Sequence, residues 1–176
     1  PSSPYDAKGL LKTAIRDNDP VVFLEHKMLL GMEGEVPEEE YTIPLGKAKI
    51  AREGKDVTVI ATQTMIYESL EAAEELEKEG ISIEIIDPRS LVPLDKETIC
   101  NSVNKTGKSV IVHEAHVRGG FGGEISAVIA DECFDALEAP IKRIGSANCP
   151  IPFGMPERYL MPTKDNIIKS VKELIK

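Results

Sequence analysis

The stretch His113-Glu-Ala-His116-Val-Arg-Gly119-Gly-Phe121-Gly-Gly123-Glu124-Ile-Ser126 holds the densest chemistry in the chain. Two histidines flank Glu114, and four glycines follow. Histidine and carboxylate side chains are metal ligands, but His113-Glu114-Ala115-His116 is not the HExxH pattern, and no cluster supplies a third ligand. A glycine-rich turn leading into a helix can hold an anion on unpaired N–H groups. Here the glycines lack the GxGxxG order and the Lys-Ser/Thr of a phosphate loop. Glu124, in the first turn of the helix, already satisfies the helix dipole with its own charge. The simplest reading is a tight strand-to-helix turn, with Phe121 entering the core and the glycines allowing close packing.

Two other stretches carry candidate groups. Asp87 and Arg89 in Ile86-Asp-Pro-Arg-Ser-Leu-Val-Pro-Leu-Asp95 follow a strand, where open α/β sheets place ligands. With no second carboxylate or nucleophile beside them, an ion pair that fixes the turn is the plainer expectation. Cys149, in the rigid run Asn148-Cys-Pro-Ile-Pro-Phe153, would need a nearby base to act as a nucleophile, and a partly buried thiol is expected instead. That proline-rich run offers a stiff surface for packing. The acidic run Glu35-Val-Pro-Glu-Glu-Glu40 reads as a solvated loop.

The elements that position these groups follow from periodicity. Tyr5 to Pro20 reads as a helix with Leu10, Leu11, Ala14 and Ile15 as its apolar stripe and Asp6 near its start. Val21 to Glu25 reads as a short buried strand, and the Gly/Pro/Glu-rich stretch from Gly31 to Lys47 as a linker. Strands are then expected at 56–62, 81–87, 109–114 and 141–145. Helices are expected between them at 65–80, 95–107 and 122–137, and a last one at 163–176, with Asp95 and Thr163 as caps and Gly80 and Gly107 as stops. Alternating strands and helices imply parallel neighbours joined by right-handed crossovers. The expected fold is a three-layer α/β sandwich with a mostly parallel sheet of about five strands.

Composition narrows function further. In 176 residues, 41% are apolar, so a sizeable core can form, and no apolar run has the length of a membrane span. A net charge of -9 argues against nucleic acid and leaves room for a basic protein partner. Cys100, Cys133 and Cys149 are odd in number and widely spaced, suggesting neither a zinc site nor a disulfide framework, and a reducing compartment is the simplest expectation. The opening Pro-Ser-Ser-Pro, without Met, favours a fragment or a processed product. Thirty residues before the linker cannot bury a core alone.

Four collinear stretches carry a resemblance: YDAKGLLKTAIRDNDPVVFLEHKMLLG, IPLGKAKIAREGKDVTVIA, SLEAAEELEKEGISIEIIDPRSLVPLDKETI and VIVHEAHVRGGFGGEISAVIADECFDALEAPIKRIGSANCPIPF. Together they resemble the beta subunit of the thiamine-diphosphate-dependent decarboxylase component of 2-oxo acid dehydrogenase complexes, whose members act on pyruvate, branched-chain 2-oxo acids or acetoin. The run from HEA to LEAP leans toward the branched-chain members, and SANCPIPF departs from the common Asp-Thr before the first proline. The resemblance implies residues 1–31 as the last helix and strand of a pyrimidine-binding domain, 32–43 as linker and 44–176 as a transketolase-type C-terminal domain.

It follows from the resemblance that the cofactor-activating glutamate and active-site histidine lie outside this sequence. No catalytic or cofactor-binding residue is expected here, and thiamine diphosphate and Mg would belong to the complete enzyme. The resemblance also implies an incomplete potassium site at Ala14, Ile15, Asp17 and Asp19. The implied partners are an alpha subunit, a second beta subunit, and the basic subunit-binding domain of the dihydrolipoyl acyltransferase, met by Glu138 and the carboxylate of Lys176. Location would be the cytoplasm in a bacterium or archaeon, and the mitochondrial matrix or plastid in a eukaryote. The alternatives are a free-standing α/β ligand-binding module, or part of another thiamine enzyme such as transketolase or deoxyxylulose-phosphate synthase.

Overall fold

A computed structural model describes residues 1–176 throughout. Five strands form one sheet: β1 (Lys49–Arg52), β2 (Val57–Ala61), β3 (Ile83–Asp87), β4 (Ser109–His116) and β5 (Lys142–Ser146), in the order β1-β3-β2-β4-β5. β3, β2, β4 and β5 run parallel, and β1 pairs antiparallel to β3 at the edge. Every residue of β2 and β3 is buried, as expected of central parallel strands covered on both faces. Helices α2 (Met65–Glu77) and α5 (Lys164–Ile175) pack together on one face, around Leu76, Ile85, Val112, Ile167 and Val171. Helices α3 (Lys96–Thr106) and α4 (Gly122–Glu132) cover the other, around Ile60, Ile99, Ile111, Ile125 and Ile129. The three-layer, mostly parallel arrangement is therefore present.

The caps act as the sequence suggests. Asp95 Oδ1 accepts from the Thr98 amide at 3.2 Å, and its other oxygen accepts from the Ala48 amide at 2.8 Å. Burial alone would raise this carboxyl's pKa, but the Ala48 and Thr98 bonds outweigh it and hold Asp95 below the usual carboxylate range. Asn166 Oδ1 accepts from the Thr163 amide at 2.9 Å at the start of α5. Gly80 and Gly107 follow their helices with φ of +81° and +68°, the left-handed conformation that glycine adopts without steric cost.

Two expectations about the sheet and the cysteines fail. Val21–Glu25 forms no strand: Val22 is 84% exposed and Leu24 64%. A β-strand needs a ladder partner, and this apolar run lies beside none. The fifth strand is instead β1, whose Lys-Ile-Ala-Arg sequence carries the charges typical of a protected edge and no apolar alternation. Cys100 and Cys133, 33 residues apart, are joined as a disulfide because α3 and the end of α4 lie side by side, a proximity that sequence spacing does not reveal.

The N-terminal helix α1 (Pro4–Arg16) docks on the sheet mainly through polar contacts. Ser3 caps it, accepting from the Asp6 amide at 3.2 Å. Of the expected stripe only Leu10 is buried, while Leu11 and Ile15 are exposed. Gly9 lets residue 43 approach: a Cβ on Gly9 would stand 2.6 Å from Ile43 Cγ1, and the Ile43 amide donates to Gly9 O.

Candidate functional site

The parallel strands reverse their order of filling between β2 and β4, and above that point lies a cleft of about 730 Å³. Thr62 and Gln63 after β2, Asp87 at the end of β3 and Arg89 just beyond it, and His113 and Glu114 of β4 form its floor. Phe121 and Gly122 at the start of α4 form one wall, and the extended segment from Asp17 to Leu24 closes another. Gln63 and Arg89, at equivalent strand ends, have φ of +50° and +60°. Such conformations are uncommon for residues with a Cβ and persist where surrounding contacts hold them.

For Arg89 those contacts are visible. Its guanidinium Nη2 lies 2.7 Å from Oδ1 of Asp6, which is fully buried, while Lys49 Nζ stands 3.6 Å from Asp6 Oδ2. The expected ion pair therefore exists, but Arg89 pairs with Asp6 rather than with Asp87. Asp87 accepts from the Arg89 amide at 2.9 Å and from the Ser2 hydroxyl, and the Tyr67 hydroxyl donates to Ser2 O. This network ties the start of the chain to the carboxyl ends of the sheet.

The histidines serve the scaffold. His113 is 7% exposed, and neither ring nitrogen has a hydrogen bond of normal geometry. Burial pushes its pKa down, partly opposed by the Ala115 backbone carbonyl and reinforced by the Arg143 charge. The glycine turn wraps this ring. A Cβ on Gly122 would come 2.4 Å from His113 Nε2, and one on Gly120 would come 2.6 Å from Cε1. His116 Nδ1 bonds Ser146 Oγ at 2.9 Å, joining the ends of β4 and β5. Glu114 Oε2 meets His26 Nε2 at 2.6 Å. Because His26 Nδ1 accepts from the Met28 amide at 3.2 Å, Nε2 carries the proton toward Glu114, and neither nitrogen is left to serve as a base.

These contacts decide between the readings of the glycine turn. Three His, Cys, Asp or Glu side chains placed to hold a metal are not found together anywhere in the chain. The turn is filled by the His113 ring, and Glu124 occupies the first turn of α4, so it does not fit a diphosphate or another anion. Phe121 packs against the α3–α4 core, as expected. Cys149 is exposed rather than partly buried, because the proline-rich run projects outward: Phe153 is fully exposed and Met155 69%.

The remaining expected residues lie at opposite ends of the domain. Ala14, Ile15, Asp17 and Asp19 sit at the end of α1, where the last carbonyls of a helix lack intrahelical partners, and Asp17 and Asp19 reach the cleft. Glu138 lies at the amino ends of the strands. Its amide donates to Gly107 O at 2.8 Å, so its turn is fixed, and its carboxylate pairs with Lys108. Lys142 of β5 bonds Glu173 at 2.9 Å, which brings the end of α5, and so Lys176, to the same edge of the sheet. The sequence placed Asp6 only near a helix start, not as the partner of Arg89, and it missed Lys49, Gln63 and His26. Only the Ser3-to-Asp6 spacing of a capping motif marked any of the four.

The similarities agree with this geometry. The chain is 51% identical over 177 residues to the acetoin:2,6-dichlorophenolindophenol oxidoreductase subunit beta of Bacillus subtilis, covering 99% of this chain and 52% of that protein. It is 48% identical over 176 residues to the pyruvate dehydrogenase E1 component subunit beta of Staphylococcus aureus, covering 99% and 54%. The chain thus spans about half the length of these curated relatives. Among solved structures, a split gene transketolase described as an inactive beta4 tetramer superposes with a TM-score of 0.67 at 30% identity, over 81% of this chain and 45% of that one. The model of the transketolase C-terminal domain matches residues 46–167, and the chain belongs to that family.

Proposed function

We propose that the chain is the C-terminal part of the beta subunit of a 2-oxo acid dehydrogenase decarboxylase component, serving subunit association and complex assembly. The observation that carries this reading is collinear similarity over 99% of the chain to beta subunits of an acetoin oxidoreductase and a pyruvate dehydrogenase. The site geometry supports an assembly role: the histidines are committed to scaffold contacts, and no nucleophile–base pair lines the cleft. Thiamine diphosphate and Mg act in the complete enzyme. The residues present here do not fit them, so calorimetric titration of this chain with both is expected to give no micromolar binding. Micromolar binding would overturn the assignment.

The partners in this proposal are an alpha subunit, a second beta subunit and the basic subunit-binding domain of a dihydrolipoyl acyltransferase. The exposed Phe153, Met155 and Tyr159 suit contact with a second beta subunit. The carbonyls near Ala14, Ile15, Asp17 and Asp19 offer part of a potassium site, completed by groups outside the chain. Glu138 and the Lys176 carboxylate present acidic groups on one edge for the basic domain, which must displace Lys108 from Glu138. Glu138→Lys is expected to weaken binding of that domain by at least about tenfold, or ~1.4 kcal/mol, and added salt to weaken the unsubstituted pair. Equal affinity of the two chains in a titration at physiological salt would remove Glu138 from the interface.

A further inference from the structure

Away from the cleft, α3 is tied to the end of α4 and the turn beyond it at three places. At the exposed rim, Lys96 Nζ bonds Glu132 Oε1 at 2.6 Å. One turn along α3, Cys100 is paired with Cys133, with a Cα–Cα distance of 5.9 Å. At the end of α3, Gly107 O accepts from the Glu138 amide. The segment from Cys133 to Glu138 is thus slung between two attachments to one helix. Between them its backbone bonds are local, from the Ala136 amide to Cys133 O and from the Leu137 amide to Phe134 O. Phe134 is 70% exposed, and the segment borders an open groove of about 690 Å³ shared with Ala130, Pro140 and Ile141.

We propose that Cys100 and Cys133 form a reversible thiol–disulfide switch that clamps this segment and fixes the shape of the groove beside it. In the oxidising direction the two thiols lose two protons and two electrons to a low-molecular-weight disulfide of the glutathione class. One S–S bond forms in the protein, one breaks in the oxidant, and two small thiols are released. In the reducing direction a small thiolate attacks Cys100 Sγ, because Cys100 is half-buried whereas Cys133 is 3% exposed. Cys133 departs as the thiolate and takes up a proton, and a second small thiol then resolves the mixed disulfide on Cys100. After reduction, the covalent tie is gone and the Cys133 end keeps only its core packing and the exposed Lys96–Glu132 pair, while the Gly107 bond still anchors Glu138. The clamp stands independently of the docking assignment; only its consequence for a partner rests on that reading.

The test equilibrates the chain in reduced and in oxidised glutathione buffers, blocks thiols with a maleimide, and maps the modified peptides. Hydrogen exchange of residues 133–138 is followed in parallel. Cys100 and Cys133 are expected to react together in the reduced buffer and to be protected together in the oxidised one, reversibly, while exposed Cys149 forms no intramolecular pair. Amides of 133–138 are expected to exchange about tenfold faster or more after reduction. Cys100→Ser, at the less buried site, should lock the fast exchange in both buffers. Thiols that remain reactive in the oxidised buffer would overturn the switch, as would equal exchange in both states or a buffer-dependent change that survives Cys100→Ser.

Discussion

Removing the Asp6 carboxylate should free the N-terminal helix while leaving the sheet folded. Asp6 is fully buried, Arg89 lies 2.7 Å away with 14% of its side chain exposed, and the nearest other cation is Lys49 at 3.6 Å. Breaking a buried pair by removing one partner costs about 3–5 kcal/mol, since the remaining charge is left uncompensated. Against this, α1 buries one large apolar side chain, Leu10, and full burial of a leucine contributes about 1.5–3 kcal/mol. The loss is at least as large as the apolar anchor. A detached 13-residue helix is marginal in water, so α1 should melt locally rather than hold on. In Asp6→Ala, native-state hydrogen exchange at Leu10–Thr13 is expected to accelerate by about a hundredfold or more, with β2 and β4 nearly unchanged. Combining it with Arg89→Ala in a double-mutant cycle should show a coupling of about 1–3 kcal/mol. Unchanged exchange in α1, or strictly additive effects, would refute the view that this pair holds the helix.

The His113 environment gives a pH dependence. Folded His113 resists protonation, while the unfolded chain titrates it near about 6.5. Its contribution to stability is therefore complete above that pH. It falls as pH drops below it, by at most about 1.4 kcal/mol per pH unit, until the folded imidazole itself protonates. Urea unfolding from pH 5 to 8 should show a steeper acid loss for the unsubstituted chain than for His113→Gln; parallel curves would contradict this. Gly122→Ala, whose new Cβ would stand 2.4 Å from His113 Nε2, should cost about 1–3 kcal/mol in the same assay. Gly31→Ala, which meets nothing within 4 Å, should change stability by no more than about 0.5 kcal/mol, and equal losses at the two glycines would remove the steric explanation.

What could be read from the sequence was whatever local chemistry determines. The central strands announce themselves because burial on both faces makes them largely apolar runs, as in Val110–Val112 of β4. Asp95, Gly80 and Gly107 carry their own cap chemistry. Val21–Glu25 has the composition of a buried strand, but pairing is a non-local property, and nothing in five residues reports whether a neighbour is present. The same holds for β1, for Cys100–Cys133 and for Asp6–Arg89, whose partners are fixed by how helices cross the sheet. The glycine turn was legible as a turn, yet its reason, the His113 ring beneath Gly120 and Gly122, appears only in three dimensions.

The charge network at the head of α1 separates the unit of inheritance from the unit of folding. The family match opens at residue 46 and so includes Lys49, Asp87 and Arg89, whereas Asp6 and Ser2 lie outside it. A gene cut at that border would preserve the recognisable ancestry of the domain. It would also strand two cations without their carboxylate, and Asp87 without its hydroxyl donor, at the mouth of the cleft. Recombination or engineering that swaps such domains would therefore carry a hidden requirement: an upstream helix offering a carboxylate at the right depth must travel with the module or be supplied by its new neighbour.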